Sequence, residues 1–476
     1  MQNCHRQLKE HWSIALVGLF FPLLLAGAIP ILPTFDDWTS LVSPSQEPFF
    51  TKERFLFFGY HWRPFDSIFG YIVGRNPQLL FPLLNHICVV IGHIGGTILL
   101  YQILLKLDFG KTSRNLATLF FFLSPGMLAT VLAVDGLNQT YANLWALASA
   151  LAYLSLRGQK KYVFWLVFVA IGTLCKENAL MWAIIVPILA FGFDKIDFQT
   201  YRKDLIIGFA LMLFYAAAIF VLPKNIEIHP EYVPEGSKIV TSFFKFLLTT
   251  WVAVDFAALL HAPSRNIFIA SATILLSLPL LYFLFIKNYS LFKQKSLICL
   301  VFSLFIAVAP HLFTVFSMMH TYAGLALAAM IIGTIMEQTK HRKWLKITFI
   351  SYFIAAIFVD VHLWWKSYQS GLIGREIARE IIEKTTQPPK NAFLIIIEDD
   401  YPRLSSFCVV PSDALGWGRA VQFETNYEWP KMVSDTTIQR NAMAQKTAQE
   451  LARRQLDSQQ FDAVWIINHR TIEVLP

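Results

Sequence analysis

Residues 81–105 read FPLLNHICVVIGHIGGTILLYQILL, an apolar run without one Asp, Glu, Lys or Arg. A helix needs about 20 mostly apolar residues to cross the hydrocarbon core of a bilayer, and this run supplies them. Working outward, comparable blocks stand at Trp12–Leu32, Leu116–Val134, Asn138–Leu156, Tyr162–Leu174, Ala179–Phe193, Leu205–Leu222, Ile267–Ile286, Leu297–Phe313, Thr321–Met336 and Leu345–Val361. Apolar residues in blocks rather than in a stripe mark helices surrounded by lipid or protein. The expectation is an α-helical polytopic membrane protein of about 11 transmembrane helices. Val240–Leu260 is apolar too, but Lys245 and Asp255 interrupt it, so it reads as an interfacial or half-buried helix rather than a twelfth span.

Composition agrees. Of 476 residues 55% are hydrophobic and 15% charged, where a soluble domain carries roughly 25% charged. Five scattered cysteines with no CxxC pair exclude a disulfide scaffold and a Cys-type zinc site. The formal charge of +8 would suggest a nucleic-acid partner in a soluble protein, and its placement removes that suggestion. With the N-terminus inside, segments 1–11, 106–115, 157–161, 194–204, 287–296 and 337–346 hold 18 basic and six acidic residues. The outer segments hold nine and twelve, and residues 365–476 hold 13 and 14. Positive charge gathers on the cytoplasmic side of membrane proteins. The reading is therefore a multi-pass protein of a bacterial inner membrane, with a cytoplasmic N-terminus and no nucleic-acid partner. Ala26-Gly27-Ala28 resembles a signal-peptide cleavage site, but the apolar run continues to Leu32, which makes the block an uncleaved first span.

Two domains are expected. Residues 1–364 form the membrane domain, with a long first outer loop at 33–80. Residues 365–476 form a small extracytoplasmic α/β domain, with strands at Ala392–Ile397, Phe407–Val410 and Ala463–Ile467 and a helix at Thr437–Leu456. The strand ending Glu398-Asp399-Asp400 and the run Gly416-Trp417-Gly418-Arg419 read as solvated loop chemistry, in a domain that binds acceptor or shields a site.

The unusual polar residues gather on the outer side. Asp36 and Asp37 are adjacent carboxylates just where the first span leaves the membrane, placed either to end the helix or to act as a general base. The segment Gly59-Tyr60-His61-Trp62-Arg63-Pro64-Phe65 supplies an imidazole, a cation for a phosphate and rings for a sugar, although Trp and Arg also settle at interfaces for their own sake. Asn85-His86 opens the second span. Asp135 and Asn138 sit at a hairpin tip, as helix caps or as cavity residues. Lys176-Glu177-Asn178 joins two short spans and reads equally as an internal ion pair or as ligand-binding groups. His261, His311 and His320 end outer spans without metal-ligand spacing. A lipid-linked substrate with its headgroup at that level would meet all of them.

The order FDDW, HWRPF, NPQLLFPLLNH, SPG…VDGLNQ, LCKENAL resembles the membrane-embedded glycosyltransferases of the GT-C superfamily. Most similar are bacterial relatives of the protein O-mannosyltransferases and of the transmembrane tetratricopeptide-repeat mannosyltransferases, over roughly Trp12–Met336. The resemblance implies a GT-C-like fold and inverting transfer of a sugar from a polyprenyl-phosphate carrier to an acceptor hydroxyl of a protein, lipid or glycan. It implies a catalytic base at Asp36 or Asp37. Donor phosphate and substrate then fall to His61, Arg63, His86, Asp135, Lys176, Glu177 and His320. No cofactor is required, and a divalent metal, which some members use, stays an option. Relatives often have Arg-Tyr where this chain has Met319-His320-Thr321-Tyr322. Two other readings are an oligosaccharide transferase using a pyrophosphate-linked glycan and a lipid-linked sugar transporter. A transporter would show internal repeats and polar groups at the midplane.

The charge asymmetry yields a direct test. An alkaline phosphatase reporter joined after Asp108 should be inactive in a bacterial host, and one joined after Asp135 should be active.

Overall fold

The computed structural model describes residues 10–34, 37–38, 41–42, 63–76, 82–221, 236–255, 263–313, 316–339, 342–385, 387–398, 415–416, 418–430, 432–439, 444–468 and 471–475. In chain order the helices are α1 Trp12–Ala28, α2 Pro64–Gly74, α3 Leu83–Lys106, α4 Lys111–Leu123, α5 Pro125–Val131, α6 Gly136–Ser155, α7 Gly158–Cys175 and α8 Trp182–Gly192. They continue as α9 Phe198–Val221, α10 Gly236–Trp251, α11 Pro263–Leu281, α12 Lys295–Leu312, α13 Thr321–Gln338 and α14 Arg342–Lys384.

Helix occupies every one of the eleven apolar stretches. Among the described residues five helical stretches are long and apolar enough to cross a membrane: Leu83–Lys106, Ile267–Lys287, Lys295–Leu312, Met318–Gln338 and Lys343–Lys384. The expected third span is not one helix. Ser124 is extended (φ −71°, ψ 133°), because the ring of Pro125 excludes the helical region for the residue before it. The chain therefore breaks into α4 and α5. Large apolar side chains face outward all round the bundle, with Leu213, Phe214 and Phe268 among the most exposed. A surface of that kind suits lipid rather than water. Helix α13 is buried from Thr321 to Met336, and α4, α5, α6, α10 and α12 pack around it.

Helix α14 extends this bundle into the C-terminal layer. At about 1.5 Å per residue its 43 residues make a rod of roughly 65 Å. It runs straight through the composition break at residue 364. Its first half buries Tyr352, Ala355, Ala356 and Val359 in the bundle, and its second half buries Ile373, Ile377, Ala378 and Ile381 against the sheet. That second spacing is a one-face helical stripe.

The sheet comprises β1 Ala392–Glu398, β2 Val433–Gln439, β3 Ala463–Asn468 and β4 Thr471–Leu475 in the order β2-β1-β3-β4. Strand β1 is parallel to β2 and β3, and β4 is antiparallel to β3. Leu394, Ile396, Trp465 and Ile467 face α14, and also α15 Arg419–Glu424. Phe393, Ile395, Val464 and Ile466 face α16 Ala444–Asp457 through Ala444, Ala448 and Ala452. Burial on both faces explains the continuous apolar run of β1. The expected helix at 437–456 begins too early, because residues 433–439 pair with β1 as a strand. The expected strand at 407–410 lies outside the described residues.

One glycine fixes the hairpin between α5 and α6. A Cβ at Gly136 would stand 1.9 Å from the carbonyl oxygen of Thr130, whereas one at Gly18 would meet nothing within 4 Å. Gly136→Ala should therefore destabilise the protein by about 1–3 kcal/mol, seen as a lower thermal unfolding midpoint in detergent. Gly18→Ala should leave the midpoint unchanged or raise it.

Candidate active site

Several helices converge at one end of the bundle. Past α1 the chain closes a tight turn in which Thr34 N–H donates to Asp37 Oδ2 at 3.1 Å and Asp37 N–H donates to Thr34 O at 3.0 Å. The second carboxylate oxygen, Oδ1, accepts the backbone N–H of Asp135 at 2.6 Å, at the start of α6. An anion at a helix N-terminus meets the positive end of the helix dipole. Asp37 is buried and spans two segments with charge-assisted bonds.

From Asp135 the polar chain goes on. Asn138 Nδ2 donates to Asp135 Oδ1 at 3.0 Å, and Lys176 Nζ donates to Asn138 Oδ1 at 3.4 Å. Asp135 and Asn138 stand at i and i+3, so one helix face carries both. Lys176 is buried at the junction of α7 with the 3₁₀ turn Glu177–Met181. Arg63, just before α2, grips the neighbouring Glu177 in a fork: Nε to Oε2 at 2.9 Å and Nη2 to Oε1 at 2.7 Å. Such bidentate pairs combine strength with fixed geometry. Glu177, whose partner the sequence left open, pairs with Arg63.

His311 at the end of α12 and His320 in the 3₁₀ turn before α13 stack, with ring centroids 4.4 Å apart and planes at 18°. His320 Nδ1 accepts Ser317 N–H at 3.3 Å. Both rings lie within the electrostatic field of Lys176, Glu177 and Arg63, and Tyr215 of α9 lies in that of Glu177 and Arg63.

The expected residues thus divide. Asp37, Arg63, Asp135, Lys176, Glu177 and His320 come to one end of the bundle. His86 is fully buried behind it, and its Nε2–H donates to Ile31 O at 2.8 Å, pinning the exit of α1. Asp36, His61 and His261 lie outside the described residues. Among the described residues no group of three or more His, Cys, Asp or Glu is placed to hold a metal ion.

Two placements give no signal in the sequence. Trp38, beside the adjacent carboxylates, is buried among residues of the C-terminal layer. Asp255 forms a buried pair with Lys366 Nζ at 2.9 Å, with His362 Nε2 at 3.6 Å from the same oxygen. Charges at apolar depth persist where they pair in this way.

No protein-family profile matches the chain, and no curated protein matches it. Among solved structures it is similar to the archaeal oligosaccharyltransferase AglB from Archaeoglobus fulgidus in complex with an inhibitory peptide and a dolichol-phosphate. Identity is 12% over 96% of this chain and 70% of that one, with a TM-score of 0.49. A likeness of that grade leaves the functional argument to the chain's own residues.

The fork between Arg63 and Glu177 is measurable. In a double-mutant cycle, Arg63→Gln and Glu177→Gln should each lower stability, and the double variant should cost less than their sum, with a coupling of about 1–2 kcal/mol.

Proposed function

We propose that the chain is a membrane glycosyltransferase that moves a sugar from a polyprenyl-phosphate carrier to an acceptor hydroxyl at the outer face of the membrane. The observation that carries this reading is the convergence of carboxylates, cations and imidazoles at one end of an apolar helical bundle. The order of the FDDW, HWRPF, VDGLNQ and LCKENAL segments supports it.

In the reaction a carboxylate of the first outer loop takes the proton of the acceptor hydroxyl. The freed oxygen attacks the anomeric carbon, the bond from that carbon to the phosphate oxygen breaks, and the lipid phosphate leaves with the electron pair. The sugar inverts once. Both oxygens of Asp37 already accept backbone N–H bonds, so we assign the proton to Asp36 and the anchoring of that turn to Asp37. Lys176 and Arg63 face the charge that grows on the leaving phosphate, a task for preset cations in a water-poor site. Glu177 holds the Arg63 fork in place.

An apolar cleft of about 510 Å³ supports a carrier with an isoprenoid tail. It opens between α10, α12 and α13 and is lined by Phe246, Trp251, Leu304, Val308 and Ile331. Leu304, Val308 and His311 follow one another at helical spacing on α12, so the cleft leads toward the polar end.

Purified protein in vesicles, given labelled polyprenyl-phosphate sugars and hydroxyl acceptors, should transfer sugar and consume the carrier. Asp36→Asn should reduce turnover by about 10²–10⁴-fold, the range of a general base, and Asp37→Asn should also reduce it by loosening the turn. Undiminished transfer by both variants would overturn the assignment. Movement of the sugar lipid across the bilayer without its consumption would instead indicate a transporter.

A further inference from the structure

We infer that the C-terminal α/β layer positions the candidate active site by gripping the first outer segment at two points, with Trp38 and Tyr427 as positioning residues. This rests on the transferase reading above for its catalytic consequence, while the grip itself is visible in the packing.

The first point is Trp38, the residue after Asp37. Its side chain is only 4% exposed and belongs to the core formed by Ile373 and Ile377 of α14, Leu394 of β1 and Phe423 of α15. The rings of Trp38 and Phe423 have centroids 5.4 Å apart. Gly416 lies flat against the indole: its φ is +54°, and a Cβ there would stand 2.7 Å from Trp38 Cβ and 2.8 Å from Cδ1. Glycine is the residue that both the positive φ and the close approach require. Val42 enters the same core.

The second point is at the far end of α2. Tyr427, just past α15, donates its hydroxyl hydrogen to Gly74 O at 2.9 Å, capping the C-terminus of the helix that begins beside Arg63. Free carbonyls at a helix end take such partners. The layer therefore holds the segment next to Asp37 through one side chain and the helix next to Arg63 through another.

The layer is itself fixed to the bundle by α14, whose Trp364 Nε1–H donates to Gly27 O of α1 at 2.7 Å. The carboxylate turn thus hangs between α1, α6 and the layer. A site held from several sides loses little geometry to loop motion, and misplacement of about 1 Å costs roughly 100-fold in rate.

Hydrogen exchange on the full-length protein in nanodiscs separates positioning from mere stability. Trp38→Ala and, separately, Tyr427→Phe should speed exchange about tenfold or more in peptides covering 37–42 and 64–74 respectively, with residues 83–106 unchanged. Turnover should fall, by up to about 100-fold for Trp38→Ala, with the donor KM retained, and Trp38→Phe should restore most of it. Tyr427→Phe removes a single hydroxyl and serves where Trp38→Ala fails to fold. Unchanged exchange in both segments overturns the grip whatever the transfer assay shows. Faster exchange with unchanged turnover overturns its positioning role. Faster exchange in a protein whose wild type transfers no sugar supports the grip and discards the transferase reading alone.

Discussion

The two oxygens of Asp37 hold together the end of the molecule on which the candidate chemistry depends. One accepts Thr34 N–H within its own turn and the other accepts Asp135 N–H at the start of α6. A buried carboxylate is costly unless such bonds compensate it, and compensated this way it becomes a rivet between the exit of α1 and the hairpin tip. From that rivet Asn138 and Lys176 follow by direct bonds. Loss of the carboxylate would remove the acceptor that Thr34 N–H and Asp135 N–H share.

The surrounding scaffold explains why the rivet stays in place. Gly136 lets the chain turn into α6 against the carbonyl of Thr130. His86 ties Ile31 from behind, and the 43-residue α14 joins the bundle to the sheet without a flexible linker. The opposite end of α6 carries a different polar group: Lys161 Nζ and Tyr153 hydroxyl both donate to Asp204 Oδ2. Ionic groups thus sit at the two ends of α6, as expected where the middle of a bundle faces hydrocarbon.

Several assignments made from local sequence alone carried through because local physics governs them. Apolar runs bounded by polar residues make core strands at 392–398 and 463–468. Others did not. Val433–Gln439, VSDTTIQ, has too few apolar residues to look like a strand, and it becomes one by pairing with β1. Lys176 and Glu177, adjacent in sequence, invite a pair between themselves, yet the side chains diverge to Asn138 and Arg63. Trp38, a single aromatic beside charges, carries no mark in the sequence of the core it enters.

The sequence by itself determined that the chain is a set of apolar helices with its unusual polar residues between them and a mixed α/β layer after them. Length, hydropathy and charge per segment suffice for that, since transfer to an apolar environment depends on composition rather than on partners. Only the tertiary structure decided which polar groups meet. Asp37 finds Asp135 98 residues away and Arg63 finds Glu177 114 residues away. Such distances in sequence leave no local trace, because the contact is set by how helices pack against α13 and by where α14 places the layer that holds Trp38.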